Sequence, residues 1–209
     1  MTGIVAQNVG RPSGLIKSAG GGGGVWTKIK TLTASADSDL SFVDGTDDVV
    51  LDSTYPIYVF KFINIHPNHS TYTDFLFNMS ADTGSNYNVT KTTTYWSAIH
   101  LENDSYAGLE YNTSLDIAQG TGFQNLTDNT GNDNDQALSG TLTLYAPSST
   151  TFVKHFISRI SNAETTPSAI DTFVAGYGNT TSAVDAVQFK FLSDSIQSGK
   201  IKLYGLGDS

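Results

Sequence analysis

Tyr58-Val59-Phe60-Lys61-Phe62-Ile63-Asn64-Ile65 is the most strand-like run in the chain, dense in β-branched and aromatic residues. Its first half is apolar on both faces. That suits a central strand covered on each side, or one lying at a subunit interface. Working outward, the other apolar runs alternate cleanly. Phe75, Phe77 and Met79 share a face. Leu142 and Leu144 point in while Thr141 and Thr143 point out. Val187, Phe189 and Phe191 alternate with Gln188 and Lys190, and Ile201 and Leu203 with Lys200 and Lys202. A period of two is the signature of half-buried strands. Turn chemistry is expected at Asp44-Gly45, Asp82-Thr83-Gly84, Gly131-Asn132-Asp133-Asn134, Pro147-Ser148-Ser149 and Ser198-Gly199. One short helix is expected over residues 163–173, with Pro167 in its first turn and Ile170 one turn from Val174. The expected fold is an all-β antiparallel sandwich, jelly-roll-like, with an extended N-terminal arm. Two segments echo each other, Ser139-Gly140-Thr141-Leu142-Thr143-Leu144-Tyr145 and Ser198-Gly199-Lys200-Ile201-Lys202-Leu203-Tyr204. Comparable positions in opposed sheets would explain the echo. Convergence on good strand chemistry explains it more simply.

The 209 residues divide at Gly20 to Gly24. Five glycines have no side chains to pack and much backbone entropy to lose, so they read as a flexible joint. A joint of that length spans about 12 Å on average. Residues 1–19 form an arm and residues 25–209 a single sandwich domain. Such a domain buries roughly 70% of the surface its unfolded chain exposes, so it needs no covalent staple. In the arm, Gly10, Pro12 and Gly14 oppose a helix. Ile4, Val5, Val9, Leu15 and Ile16, with Arg11 among them, are too apolar for a solvated tail. This spacing suits strand addition or groove binding on a partner. It equally suits an extra edge strand laid on the chain's own body.

With 20 acidic and 11 basic residues the formal net charge is −9. That sign repels phosphate backbones, and no run of Lys and Arg offsets it, so nucleic acid is not an expected partner. There is no cysteine, which excludes disulfides and thiolate chemistry. No secretory signal is evident, and no run reaches the length needed to span a bilayer, so membrane insertion is not expected. The seven Asn-x-Ser/Thr sequons, at Asn68, Asn78, Asn88, Asn103, Asn112, Asn125 and Asn179, read as chance in a chain rich in those residues.

No constellation singles out a catalytic residue. There is no nucleophile elbow, phosphate loop or dinucleotide fingerprint. Glu110, flanked by Tyr106 and Tyr111, is the one glutamate in an aromatic setting. His66 and His69, with Asp74 or His100, are the best metal candidates, but Pro67 makes their segment a loop and no third ligand has motif spacing. No metal and no cofactor is expected. Residues 128–135, rich in Asp and Asn, superficially resemble a calcium loop without its glycine and glutamate, and read as a solvated turn. Tyr87, Tyr95, Trp96, Tyr106 and Tyr111 lie among Asn, Ser and Thr. Trp96 reads as core. Tyr106 and Tyr111 read as surface rings able to stack on a sugar.

The arm from Gly3-Ile4-Val5 to Leu15-Ile16-Lys17, the glycine joint, Val25-Trp26-Thr27 and the terminal Gly199-Lys200-Ile201-Lys202-Leu203-Tyr204-Gly205 together resemble small virion structural proteins of tailed bacteriophages, notably marine ones. The resemblance covers both ends of the chain, and the middle by composition. It implies a jelly roll or related sandwich displayed on the virion, held by its N-terminal segment to other capsid or tail proteins. A homo-oligomer, most simply a trimer, is also implied. A tail-associated module for host glycan, using Tyr106 and Tyr111, is the alternative expectation.

Overall fold

The structure is a computed structural model that describes residues 25–207. The expected arm, with Ile4, Val5, Val9, Arg11, Leu15 and Ile16, and the glycine joint lie outside the described residues. Among the described residues there are strands and no helix: β1 (Trp26–Thr33), β2 (Leu40–Val43), β3 (Ile57–Asn68), β4 (Tyr72–Thr73), β5 (Phe75–Ser80), β6 (Lys91–Leu101), β7 (Ala107–Tyr111), β8 (Gln124–Asn125), β9 (Thr130–Gly131), β10 (Leu138–Tyr145), β11 (Lys154–Glu164), β12 (Ser168–Gly178), β13 (Ala186–Phe191) and β14 (Ser195–Leu206).

The larger sheet runs β1-β14-β3-β10-β11-β12-β6-β7, with β4 and β9 attached beside β11; the smaller runs β2-β13-β5-β8. All pairings are antiparallel. Take β1, β2, β3, β5, β8, β10, β13 and β14 as eight successive strands. One sheet then reads first-eighth-third-sixth and the other second-seventh-fourth-fifth, the wiring of a jelly roll. Strands β11, β12, β6 and β7 widen one sheet beyond that frame.

The core lies between the sheets and is built largely of phenylalanine. Phe189 on β13 meets Phe60 and Phe62 of β3 at 5.1 Å each, Phe42 at 6.3 Å and Phe75 at 6.0 Å. Edge-to-face and offset arrangements of this kind add to the burial of the rings. Strand β3 is central in its sheet, between β14 and β10, as its composition predicts, but it is not covered on each side: Lys61 and Ile63 of its outer face reach the surface. Tyr58, Phe60 and Phe62 face the core. Asn64 then takes a left-handed φ of 48° at a bulge, after which Ile65 and Pro67 are the buried residues. An extra residue at a bulge shifts the alternation by one, which turns Ile65 inward in the second half. The first half reads apolar on both faces because Val59, on the outer face, is buried along with Tyr58 and Phe60.

Four expectations are corrected. Residues 163–173 form the turn and arms of the β11–β12 hairpin, not a helix. Ile170 and Val174 are four apart, a spacing that also puts both on one side of a strand, and Thr172 between them is buried too. Pro67 does not open a loop: His66 and Pro67 lie within β3 and pair with β14. Ser198-Gly199 is a bulge within β14 rather than a turn, with Gly199 at φ 115° against the Asn64 backbone. Trp96 is not core. It is half-buried on the outer face of β6, while Tyr95 beside it faces the interior. The echoing segments do not occupy opposed sheets: β10 and β14 flank β3 in one sheet, and Leu142 and Leu203 pair with opposite sides of Phe60.

Candidate functional site

The smaller sheet covers part of one face of the larger sheet and leaves the other face outward; the edge strand β7 is exposed on both sides. Strand register aligns its side chains in transverse rows. One row reads Thr31, Lys202, Lys61, Thr141, Arg159, Phe173, Trp96, Tyr111 from β1 to β7. At the β1 end, alternation places Trp26 and Lys28 of β1, Lys61 of β3, and Lys200, Lys202 and Tyr204 of β14 on this outer face. Lys61 Nζ lies 4.5 Å from the centre of the Trp26 ring and 5.2 Å from that of Tyr204. The two rings meet edge to face at 5.8 Å, and Trp26 keeps 49% of its surface exposed. Lys61 and Lys202 are direct cross-strand partners. Among the described residues no carboxylate forms an ion pair with any of these four lysines. An uncompensated like-charge pair of this kind costs stability.

Further along, Arg159 is bonded to Asp171 at 2.7 Å and sits 4.7 Å over Phe173, which stacks on Trp96 at 4.0 Å. Beside that stack is an open cavity of about 480 Å³. Ala175 and Gly176 line it together with Tyr145, His155, Ile157 and Tyr177, and the lining is almost all carbon. Ile157 is 52% exposed and Leu109, on β7, 71%.

The residues singled out from sequence fall elsewhere or apart. Tyr106 and Tyr111 are 44% and 54% exposed, at the surface as expected. Tyr111 pairs with Trp96 on the outer face and donates to Asp116 at 2.7 Å. Tyr106 donates to Glu110, which lies on the opposite side of β7 by alternation. The two rings therefore do not share one platform. Both phenol pKa values are raised, first by these carboxylate hydrogen bonds. The metal candidates are dispersed. His66 Nδ1 is 2.6 Å from the Gln136 carbonyl, His69 lies 3.7 Å from Asp194, and His100 is bonded to Asp104. Asp74 accepts from Asn125 and from the Asn129 backbone. Among the described residues no three such groups are placed to hold a metal ion.

The Asx-rich loop is not simply solvated. Its Thr130 and Gly131 form β9 and are buried. Burial raises the Asp128 pKa to about 6, with the nearby charges of Asp74 and Glu164 adding to the shift. Two lysines have structural work. Lys91 is fully buried, donates to Asn78 at 2.6 Å and to the Val89 carbonyl at 2.8 Å, and is lowered to about 8 by burial. Lys154 ties together the carbonyls of Ser149, Phe152 and Thr180.

The lysine strip is what sequence reasoning missed. The chain has no run of basic residues because the four lysines come from β1, β3 and β14. Lys200 and Lys202 were legible as outward-facing. Their meeting with Lys28 and Lys61 depends on which strands are neighbours. Compared with known proteins, the chain matches no family model, no curated protein and no solved structure.

Proposed function

We propose that this chain is a non-enzymatic structural protein of a phage particle, displayed at its surface and docked on other virion proteins by residues 1–19. The observation that carries the reading is the outer face of the larger sheet. Its edge strand β1 directly follows residues 1–24 in the sequence, and the face presents Trp26, Ile157, Leu109 and Tyr111 to solvent. Exposed apolar groups gathered on one face have the chemistry of an interface. The jelly-roll wiring recurs in capsid domains, which supports the reading by analogy of fold alone. The test is particle occupancy. Purified virions carrying the full chain are compared, by quantitative mass spectrometry, with virions carrying the chain lacking residues 1–19. Occupancy should fall at least about tenfold, the equivalent of ~1.4 kcal/mol of docking energy. Full occupancy by the truncated chain rejects the proposal.

A second reading, a glycan-binding module at the β6–β7 hairpin, draws on the exposed Tyr106 and Tyr111, each already hydrogen-bonded to a carboxylate. Glycan-array binding abolished by Tyr106→Ala or Tyr111→Ala would favour it. An array with no signal would remove it.

A further inference from the structure

We infer that the lysine strip on the outer face of β1, β14 and β3 is a binding site for an acidic polysaccharide, one carrying carboxylates or sulfates along a sugar chain. This goes beyond particle docking and uses different residues from the tyrosine hairpin.

The first argument is charge. The molecule is formally −9, yet Lys28, Lys61, Lys200 and Lys202 gather on one face with no ion-pair partner among the described residues. Lys61 and Lys202 stand directly opposite each other. Adjacent strands are about 4.8 Å apart and alternate residues of one strand about 6.6 Å apart, so Lys28 and Lys200 mark the ends of a strip about 14 Å long with Lys202 and Lys61 side by side between them. A sheet keeps so unfavourable a pattern at a cost, and such exceptions to local consistency concentrate at functional sites.

The second argument is the pair of aromatic rings within the field. Trp26 is half exposed, and Tyr204 lies beside it. An exposed ring offers a C–H face of a sugar something to stack on, while the surrounding lysines meet its anions. The cations of the strip are all lysines, so it makes point-charge contacts and lacks the planar fork that selects a paired phosphate or carboxylate. Overall charge narrows the class further. A polyanion as dense as duplex DNA, with one charge per ~1.7 Å, meets strong repulsion from the rest of a −9 molecule. A chain with one anion every sugar or two meets much less.

The test uses the full-length protein against immobilised polygalacturonate and dextran sulfate, with neutral dextran and an oligothymidylate as comparators. Binding to at least one acidic polysaccharide is expected at low salt, falling as salt rises, with none to neutral dextran. The Lys61→Gln/Lys202→Gln variant should lose at least about tenfold in affinity, and Trp26→Ala a further part, while Lys190→Gln, on β13 of the smaller sheet, should bind as the parent does. Both side chains lie on the outer face, so the variant keeps the fold although it loses the contacts of Lys61 with the Trp26 and Tyr204 rings; an unchanged circular dichroism spectrum and a single cooperative melt verify this. No binding to either acidic polysaccharide overturns the inference, as does binding that the double lysine variant leaves unchanged. Tighter binding to oligothymidylate than to both polysaccharides reassigns the strip to single-stranded nucleic acid and overturns it too. Particle occupancy is read separately, so loss of one activity does not mimic loss of the other.

Discussion

Asp128 and Lys202 are single residues whose placement costs the fold something measurable. Asp128 is half-buried near Asp74 and Glu164, and its pKa of about 6 lies above the ordinary carboxylate value of 3.8. The folded state therefore holds the proton more tightly than the unfolded state between about pH 4 and 6. The contribution of this group to stability is greatest below that window and declines as pH rises through it. Asp128→Asn should stabilise the protein at pH 7–8 by ~1–2 kcal/mol, after discounting for partial exposure, and the gain should vanish near pH 4. Urea titrations at the two pH values measure this, and equal gains at both would contradict it. Lys202→Glu replaces a like-charge cross-strand pair with an opposite-charge one facing Lys61. It should raise stability by ~0.5–1 kcal/mol at low salt, less at high salt, as thermal melts would show.

At the scale of elements, the sandwich depends on close contact between β3 and β13, and on backbone approach between β10 and β11. Phe189 touches rings from both sheets. Phe189→Ala should cost ~3–5 kcal/mol in denaturant unfolding, because neighbouring rings packed from several directions cannot all collapse into the gap. Gly140 is a different constraint. A β-carbon there would sit 2.3 Å from the Arg159 carbonyl oxygen and 2.7 Å from the Ile160 α-carbon. Gly140→Val should cost at least ~2–3 kcal/mol, with hydrogen exchange quickening first along β10 and β11. The alternating strands were readable from sequence because a half-buried sheet writes its burial into every second residue. The β11–β12 hairpin was not, because Ile170 and Val174 fit a helix turn and a strand face equally well. The bulge at Asn64 hid the facing of β3 by moving its alternation one residue out of phase.

At the scale of the whole molecule, the larger sheet has one partly covered face and one outward face, and the proposed roles lie on the second or at its β1 edge. The mass of the full chain in solution tests the oligomeric expectation. A trimer should give about three times the chain's 22.3 kDa, independent of concentration across the micromolar range. A monomer at those concentrations would remove oligomerisation from the proposed role. The sequence by itself determined the all-β class, the layered sandwich and the outward aim of Lys200 and Lys202, because these follow from local period and composition. It could not gather the lysines of three strands, separate Tyr106 from Tyr111 or disperse the histidines. Those depend on which strands pair and in what register. Such long-range choices are settled only when Phe189 and its neighbours pack between the sheets.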